Sequence, residues 1–115
     1  MRNLRLLFLI LVLTSVSKST FASIGDSLSA SPNPFDSVTE IHFGITAYDT
    51  VSLSVFTMTA QMVKTYFDGT VLPSGSYSLN FNADTLPNGI YIVHLKINQL
   101  TYNVKIVKLQ RFIHT

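Results

Sequence analysis

The sequence predicts an all-β chain, and three observations carry that prediction. From Thr39 onward, apolar and polar residues alternate with period two through successive short runs, as in antiparallel strands solvated on one face. Turn residues separate the runs, at Ala47-Tyr48-Asp49, Thr57-Met58-Thr59-Ala60, Phe67-Asp68-Gly69, Pro73-Ser74-Gly75, Pro87-Asn88-Gly89 and Asn98-Gln99. After residue 22 no segment sustains a helical period. Six or seven short strands at this spacing predict an immunoglobulin-like antiparallel β-sandwich of about seven strands.

Residues 1–22 read as a secretory signal peptide. Arg2 and Arg5 give the positive start, and Leu6 to Leu13 is an unbroken apolar core. Thr20-Phe21-Ala22 ends on small residues where a signal peptidase reads, so cleavage is expected between Ala22 and Ser23. The apolar run is far short of the roughly 20 residues that span a bilayer. The membrane is therefore met only through the signal peptide before its removal. With no cysteine there is no lipid-modified leader, disulfide or thiolate chemistry.

Residues 23–30 form a short lead-in. Pro32 and Pro34 bracket Asn33. The residue before each proline is pushed to extended conformations, and neither proline donates to a ladder. This stretch is an edge strand or its approach, with Phe35 plugging one end of the core.

The strands follow in order. Ile41, Phe43 and Ile45 face one way against Glu40, His42 and Gly44. Val51, Leu53 and Val55 face in against Ser52 and Ser54. Met62 to Phe67 alternates less decisively. Tyr77, Leu79 and Phe81 face in against Ser76, Ser78 and Asn80. Tyr91, Val93, Leu95 and Ile97 face in against Ile92, His94 and Lys96. Tyr102, Val104 and Ile106 face in against Thr101, Asn103 and Lys105. The last two strands form a hairpin around Asn98-Gln99, a two-residue loop that asks for positive φ. One unit occurs twice, as Leu72-Pro73-Ser74-Gly75-Ser76-Tyr77 and Leu86-Pro87-Asn88-Gly89-Ile90-Tyr91. Proline starts the turn, glycine tolerates positive φ, and the tyrosine sits two residues into the strand.

The net charge of +2 depends on the N-terminal segment. Without it, five bases remain (Lys64, Lys96, Lys105, Lys108, Arg111) against six acids (Asp26, Asp36, Glu40, Asp49, Asp68, Asp84), leaving −1. A nucleic-acid partner is not indicated. The acids lie before Lys96 and four of the five bases from Lys96 onward, so a basic C-terminal strand stands on an acidic body.

Catalytic and metal chemistry find no motif. The aspartates sit in or near turns, where they hydrogen-bond their own backbone, and no D-x-D-x-D-G calcium spacing occurs. His42, His94 and His114 lie on separate segments without zinc-ligand spacing. There is no G-x-S-x-G elbow and no Gly-rich phosphate loop. The chain is read as a non-enzyme without cofactor or metal. Tyr48, Tyr66 and Phe56 are candidates for a carbohydrate platform, which gives the alternative reading, a stand-alone surface-adhesion or carbohydrate-binding sandwich.

Ser31-Pro32-Asn33-Pro34-Phe35 precedes Thr39-Glu40-Ile41-His42-Phe43, then Val51 to Phe56 and Met62-Val63-Lys64. Leu86-Pro87-Asn88-Gly89-Ile90-Tyr91 and Asn103-Val104-Lys105-Ile106-Val107-Lys108 complete the series. In that order these motifs resemble the C-terminal sorting domain of the type IX secretion system, over residues 28–110. The resemblance implies a non-catalytic signal that directs export through the outer-membrane translocon. It implies transit of the periplasm and arrival at the cell surface or outside the cell. A sortase-like peptidase, the second implied partner, usually removes such domains. The resemblance assigns recognition to Pro87, Gly89, Tyr91, Lys105 and Lys108. The motif positions Pro32, Asn33, Pro34, Phe35, Gly75 and Tyr77 are structural.

Three departures stand out. Ala60 replaces a frequent glycine, and alanine resists positive φ, so that turn is expected to differ. A tail, residues 111–115, continues past the last lysine. Fewer than ten residues separate the expected cleavage from the domain, so almost no cargo is expected.

Overall fold

A computed structural model describes residues 27–110. The expected signal peptide, its cleavage point at Ala22 and Ser23, and the tail from Arg111 lie outside the described residues. The described chain holds seven strands and no helix: β1 (Ser27–Ser31), β2 (Val38–Ile45), β3 (Asp49–Thr57), β4 (Met62–Leu72), β5 (Gly75–Asn82), β6 (Gly89–Ile97) and β7 (Leu100–Lys108). They form two antiparallel sheets, one in the order β1-β2-β5 and the other β4-β3-β6-β7. The chain is thus an all-β sandwich, as the alternation predicts.

Register follows parity. Ile41 pairs with Leu79 and Phe43 with Tyr77 across β2 and β5. Leu53 pairs with Leu95 and Val55 with Val93 across β3 and β6. A one-residue slip would turn every apolar side chain to water, so the core fixes the pairing. That core joins Ile41, Phe43 and Phe81 of one sheet to Val51, Leu53, Val93, Leu95 and Ile106 of the other. Phe43 stacks on Tyr77 with ring centroids 5.0 Å apart and meets Phe67 edge-on at 6.2 Å.

The structure departs from the expected turns in β4. Phe67-Asp68-Gly69 is not a turn but part of one eleven-residue strand. Between Val51 and Leu53 of β3, β4 advances from Thr70 to Phe67, one residue more than its partner. Gly69 takes up this bulge at φ 64° and its N–H donates to Ser52 Oγ at 2.8 Å. Two further shifts follow, between Leu53 and Ser54 and between Val55 and Phe56. Each bulge resets the alternation, which is why Met62–Phe67 reads ambiguously in sequence. The β3–β4 turn is built around Ala60 at φ 70°, so alanine does adopt the left-handed conformation. Thr57 Oγ1 holds the loop by accepting from the Thr59 and Gln61 N–H groups. In the last hairpin Asn98 takes φ 56°.

Candidate recognition site

Pro87-Asn88-Gly89 follows β5 through a short connection and opens β6. Gly89 sits at φ 155°, a conformation L-residues rarely adopt. Two residues on, Tyr91 is buried in the core, and its hydroxyl donates to the Pro87 carbonyl at 2.6 Å. The phenol thus ties the strand to the turn that launched it, the arrangement of a tyrosine corner. Burial also raises the Tyr91 pKa above its ordinary 10.0. The earlier copy of the unit repeats the geometry. Gly75 has φ 149°, and the Tyr77 hydroxyl donates to the Pro73 carbonyl at 2.5 Å.

The end of β7 is fastened to this corner. Lys108 lies between the sheets, 1 % exposed, and its Nζ donates to the Leu86 carbonyl. Asn88 pairs with the backbone of Gln110, its Oδ1 accepting from the Gln110 N–H at 3.0 Å. On the outer side, Pro32 to Phe35 runs along β7. Asn33 Nδ2 donates to the Lys105 carbonyl at 2.9 Å and its Oδ1 accepts from the Val107 N–H at 3.0 Å, so the side chain imitates a strand residue. Phe35 then makes a parallel bridge to Lys108. Its N–H donates to the Val107 carbonyl and its carbonyl accepts from the Leu109 N–H. The Phe35 ring is buried against Phe81, and Thr39 Oγ1 donates to the Pro32 carbonyl at 2.6 Å. The prolines preceding Asn33 and Phe35 follow cis bonds.

Pro87, Gly89, Tyr91, Asn33, Phe35 and Lys108 therefore meet at one end of the sandwich. Lys105 does not join them. It is exposed on the outer face of the four-stranded sheet, beside Ile92. The two lysines assigned by resemblance to one basic strand thus sit on opposite faces. Gly75 and Tyr77 form their own corner at the start of β5.

The remaining candidates lie apart. Tyr48 is exposed before β3. Phe56 is near the far end of that strand, on the order of 25 Å away at 3.3 Å per residue. Tyr66 rests its hydroxyl on the Asn80 carbonyl across the sandwich. Sequence reasoning missed one polar row: His42 Nε2 lies 3.3 Å from Glu40 Oε1 and Nδ1 lies 3.0 Å from Ser78 Oγ. Glu40-x-His42 alternation was its only signal. The His42 and Glu40 side chains are 40 % and 49 % exposed, so this is a solvated cross-strand network, not an enclosed nucleophile. Among the described residues no group of three or more His, Cys, Asp or Glu is placed to hold a metal ion.

Fold and corner together define an immunoglobulin-like β-sandwich module. More narrowly, the chain belongs to the secretion system C-terminal sorting domain family of type IX secretion, whose model matches residues 29–109. The family supports a sorting role, interaction with the type IX machinery, and export to the cell surface or extracellular space. No curated protein matches the chain.

Proposed function

We propose that this chain is a non-catalytic sorting and docking signal, read in its folded form by the outer-membrane translocon and then by a sortase-like peptidase. The observation that supports this reading is the convergence at one corner. Segments far apart in sequence are fastened there by hydrogen bonds: Asn33 to the backbone of Lys105 and Val107, Tyr91 to the Pro87 carbonyl, and Lys108 to the Leu86 carbonyl. The corner exists only in the folded domain, so a receptor that reads it accepts folded cargo carriers. Pro87, Gly89, Tyr91 and Lys108 act by holding the shape, and Lys105 offers the exposed charge. Transit runs through the periplasm to the surface.

The test inserts a fluorescent protein between Ala22 and Ser23 of the full chain, in a host with type IX secretion. Cargo is expected at the surface with the wild-type domain and in the periplasm with Gly89→Val or Lys105→Ala/Lys108→Ala. Wild-type cargo held in the periplasm beside an intact fold overturns the reading.

A further inference from the structure

The outer face of the four-stranded sheet is polar at one end and apolar at the other. Register builds the apolar end in two rows. Met62, Phe56, Ile92 and Lys105 pair in sequence across β4, β3, β6 and β7, and Ile90 pairs with Val107 beside them. The next row, Thr65, Ser54, His94 and Asn103, is polar throughout. Ile90, Met58 and Met62 are 38 %, 58 % and 60 % exposed. An open depression of about 360 Å³ lies between Phe56, Met58, Ile92, His94 and Asn103. Outward positions of a solvated strand ordinarily carry polar residues, so a contiguous apolar band there points to a covered surface.

Charge selects the occupant. Lys105 stands in the band and Lys96 further along the same face, whereas β6 and β7 carry no carboxylate. Asp49 and Asp68, the carboxylates of this sheet, lie towards its opposite end. A second copy meeting this face patch to patch would bring no carboxylate to Lys105, since β6 and β7 hold none and Asp49 and Asp68 lie at the other end of the sheet. Anionic membranes select clusters of four to eight bases, and the band has one. Beside the band, strand addition at β7 is blocked, because Asn33 and Phe35 already occupy its edge from Lys105 to Leu109.

We infer that this band is a docking surface for an acidic, apolar polypeptide segment of a partner protein, laid across the face with a carboxylate on Lys105 and apolar side chains on Phe56, Ile90 and Ile92. The inference rests on the sorting reading and names the face and the partner chemistry. The two methionines fit such a role, since their flexible side chains repack around varied apolar groups.

The experiment uses the full chain with the inserted fluorescent protein. Ile92→Glu and Lys105→Glu are expected to lower the surface fraction about tenfold, the factor set by roughly 1.4 kcal/mol of lost contact. Ser29→Glu, on the outer face of the other sheet, keeps it. Thermal unfolding checks that each variant folds, and exposed Lys105→Glu carries the test if Ile92→Glu does not. In parallel, amide chemical shifts of the full chain are followed with the peptide acetyl-Glu-Leu-Glu-Val-Glu-Leu-amide, with its lysine counterpart, and with vesicles containing phosphatidylserine. Shifts at Phe56, Ile92 and Lys105 with the acidic peptide alone support the inference. Shifts with the vesicles alone overturn it in favour of a membrane contact. Full transport by Ile92→Glu and Lys105→Glu overturns it, together with the recognition role given to Lys105, and leaves the sorting role of the domain standing. Failure of the wild-type domain to move cargo removes both.

Discussion

The hydroxyl of Tyr91 donates to the carbonyl of Pro87, four residues behind it, at 2.6 Å. Tyr77 does the same to Pro73 at 2.5 Å. Each tyrosine closes the turn that starts its own strand, but only Tyr91 is fully in the core. Tyr91→Phe is expected to cost about 1–2 kcal/mol, because it leaves a part-buried carbonyl without its donor. Tyr77→Phe is expected to cost under about 1 kcal/mol, since water reaches that carbonyl. Urea unfolding of the two variants measures both, and equal losses would contradict the ranking by burial.

Burial raises the pKa of Tyr91 above 10.0, and that of Tyr66 likewise. Unfolded, both phenols lose their protons near pH 10, while the folded state keeps them to higher pH. Above about pH 10 the unfolded state therefore binds fewer protons. Stability from this source is complete below pH 10 and is lost as pH rises through the folded values. Unfolding midpoints from pH 8 to pH 11.5 are expected to stay level and then fall, with a shallower fall in Tyr91→Phe.

Lys108 and Lys105 separate by location. Lys108→Ala removes three buried methylenes and is expected to cost about 2–3 kcal/mol at roughly 0.8 kcal/mol per methylene. Lys108→Met refills the space and restores most of it. Lys105→Ala changes stability by less than about 0.5 kcal/mol. Denaturant unfolding beside the transport assay separates a lysine that builds the domain from one that meets a partner.

Asn33 carries both halves of a strand's hydrogen bonding in one side chain. Asn33→Asp keeps the acceptor for the Val107 N–H and loses the donor to the Lys105 carbonyl, and Asn33→Ala loses both. Hydrogen exchange at the Val107 amide is expected to quicken in Asn33→Ala and to change much less in Asn33→Asp. Stability falls by about 1–2 kcal/mol in the alanine variant.

Ala60 at φ 70° holds a conformation that costs an L-residue roughly 1–2 kcal/mol. Ala60→Gly removes that strain at some cost in unfolded-chain entropy, and is expected to stabilise by about 0.5–1 kcal/mol. Gly89→Ala runs the other way and is expected to destabilise by about 1 kcal/mol. Nothing lies within 4 Å of its added Cβ, so backbone conformation alone decides that loss. Thermal unfolding of the two variants should shift in opposite directions.

Sequence determined what depends on local periodicity and turn chemistry. Two-residue alternation named the inward residues of β2, β3, β5, β6 and β7, because a half-buried strand can hide only every second side chain. The paired Pro-x-Gly-x-Tyr units marked both corners, because few residues start a turn and tolerate positive φ. Parity even held the clue to Lys108, which shares its face with the inward Ile106, though a lysine is naturally read as exposed. Tertiary structure alone decided the rest. The bulges of β4, including the one at Gly69, appear only against the register of β3. Asn33 becomes a strand surrogate only when β7, more than seventy residues away in sequence, lies beside it. The apolar band forms because Phe56, Ile92 and Val107 come from three strands that register sets side by side. Such contacts depend on which strands neighbour one another, and the burial of the whole core fixes that order.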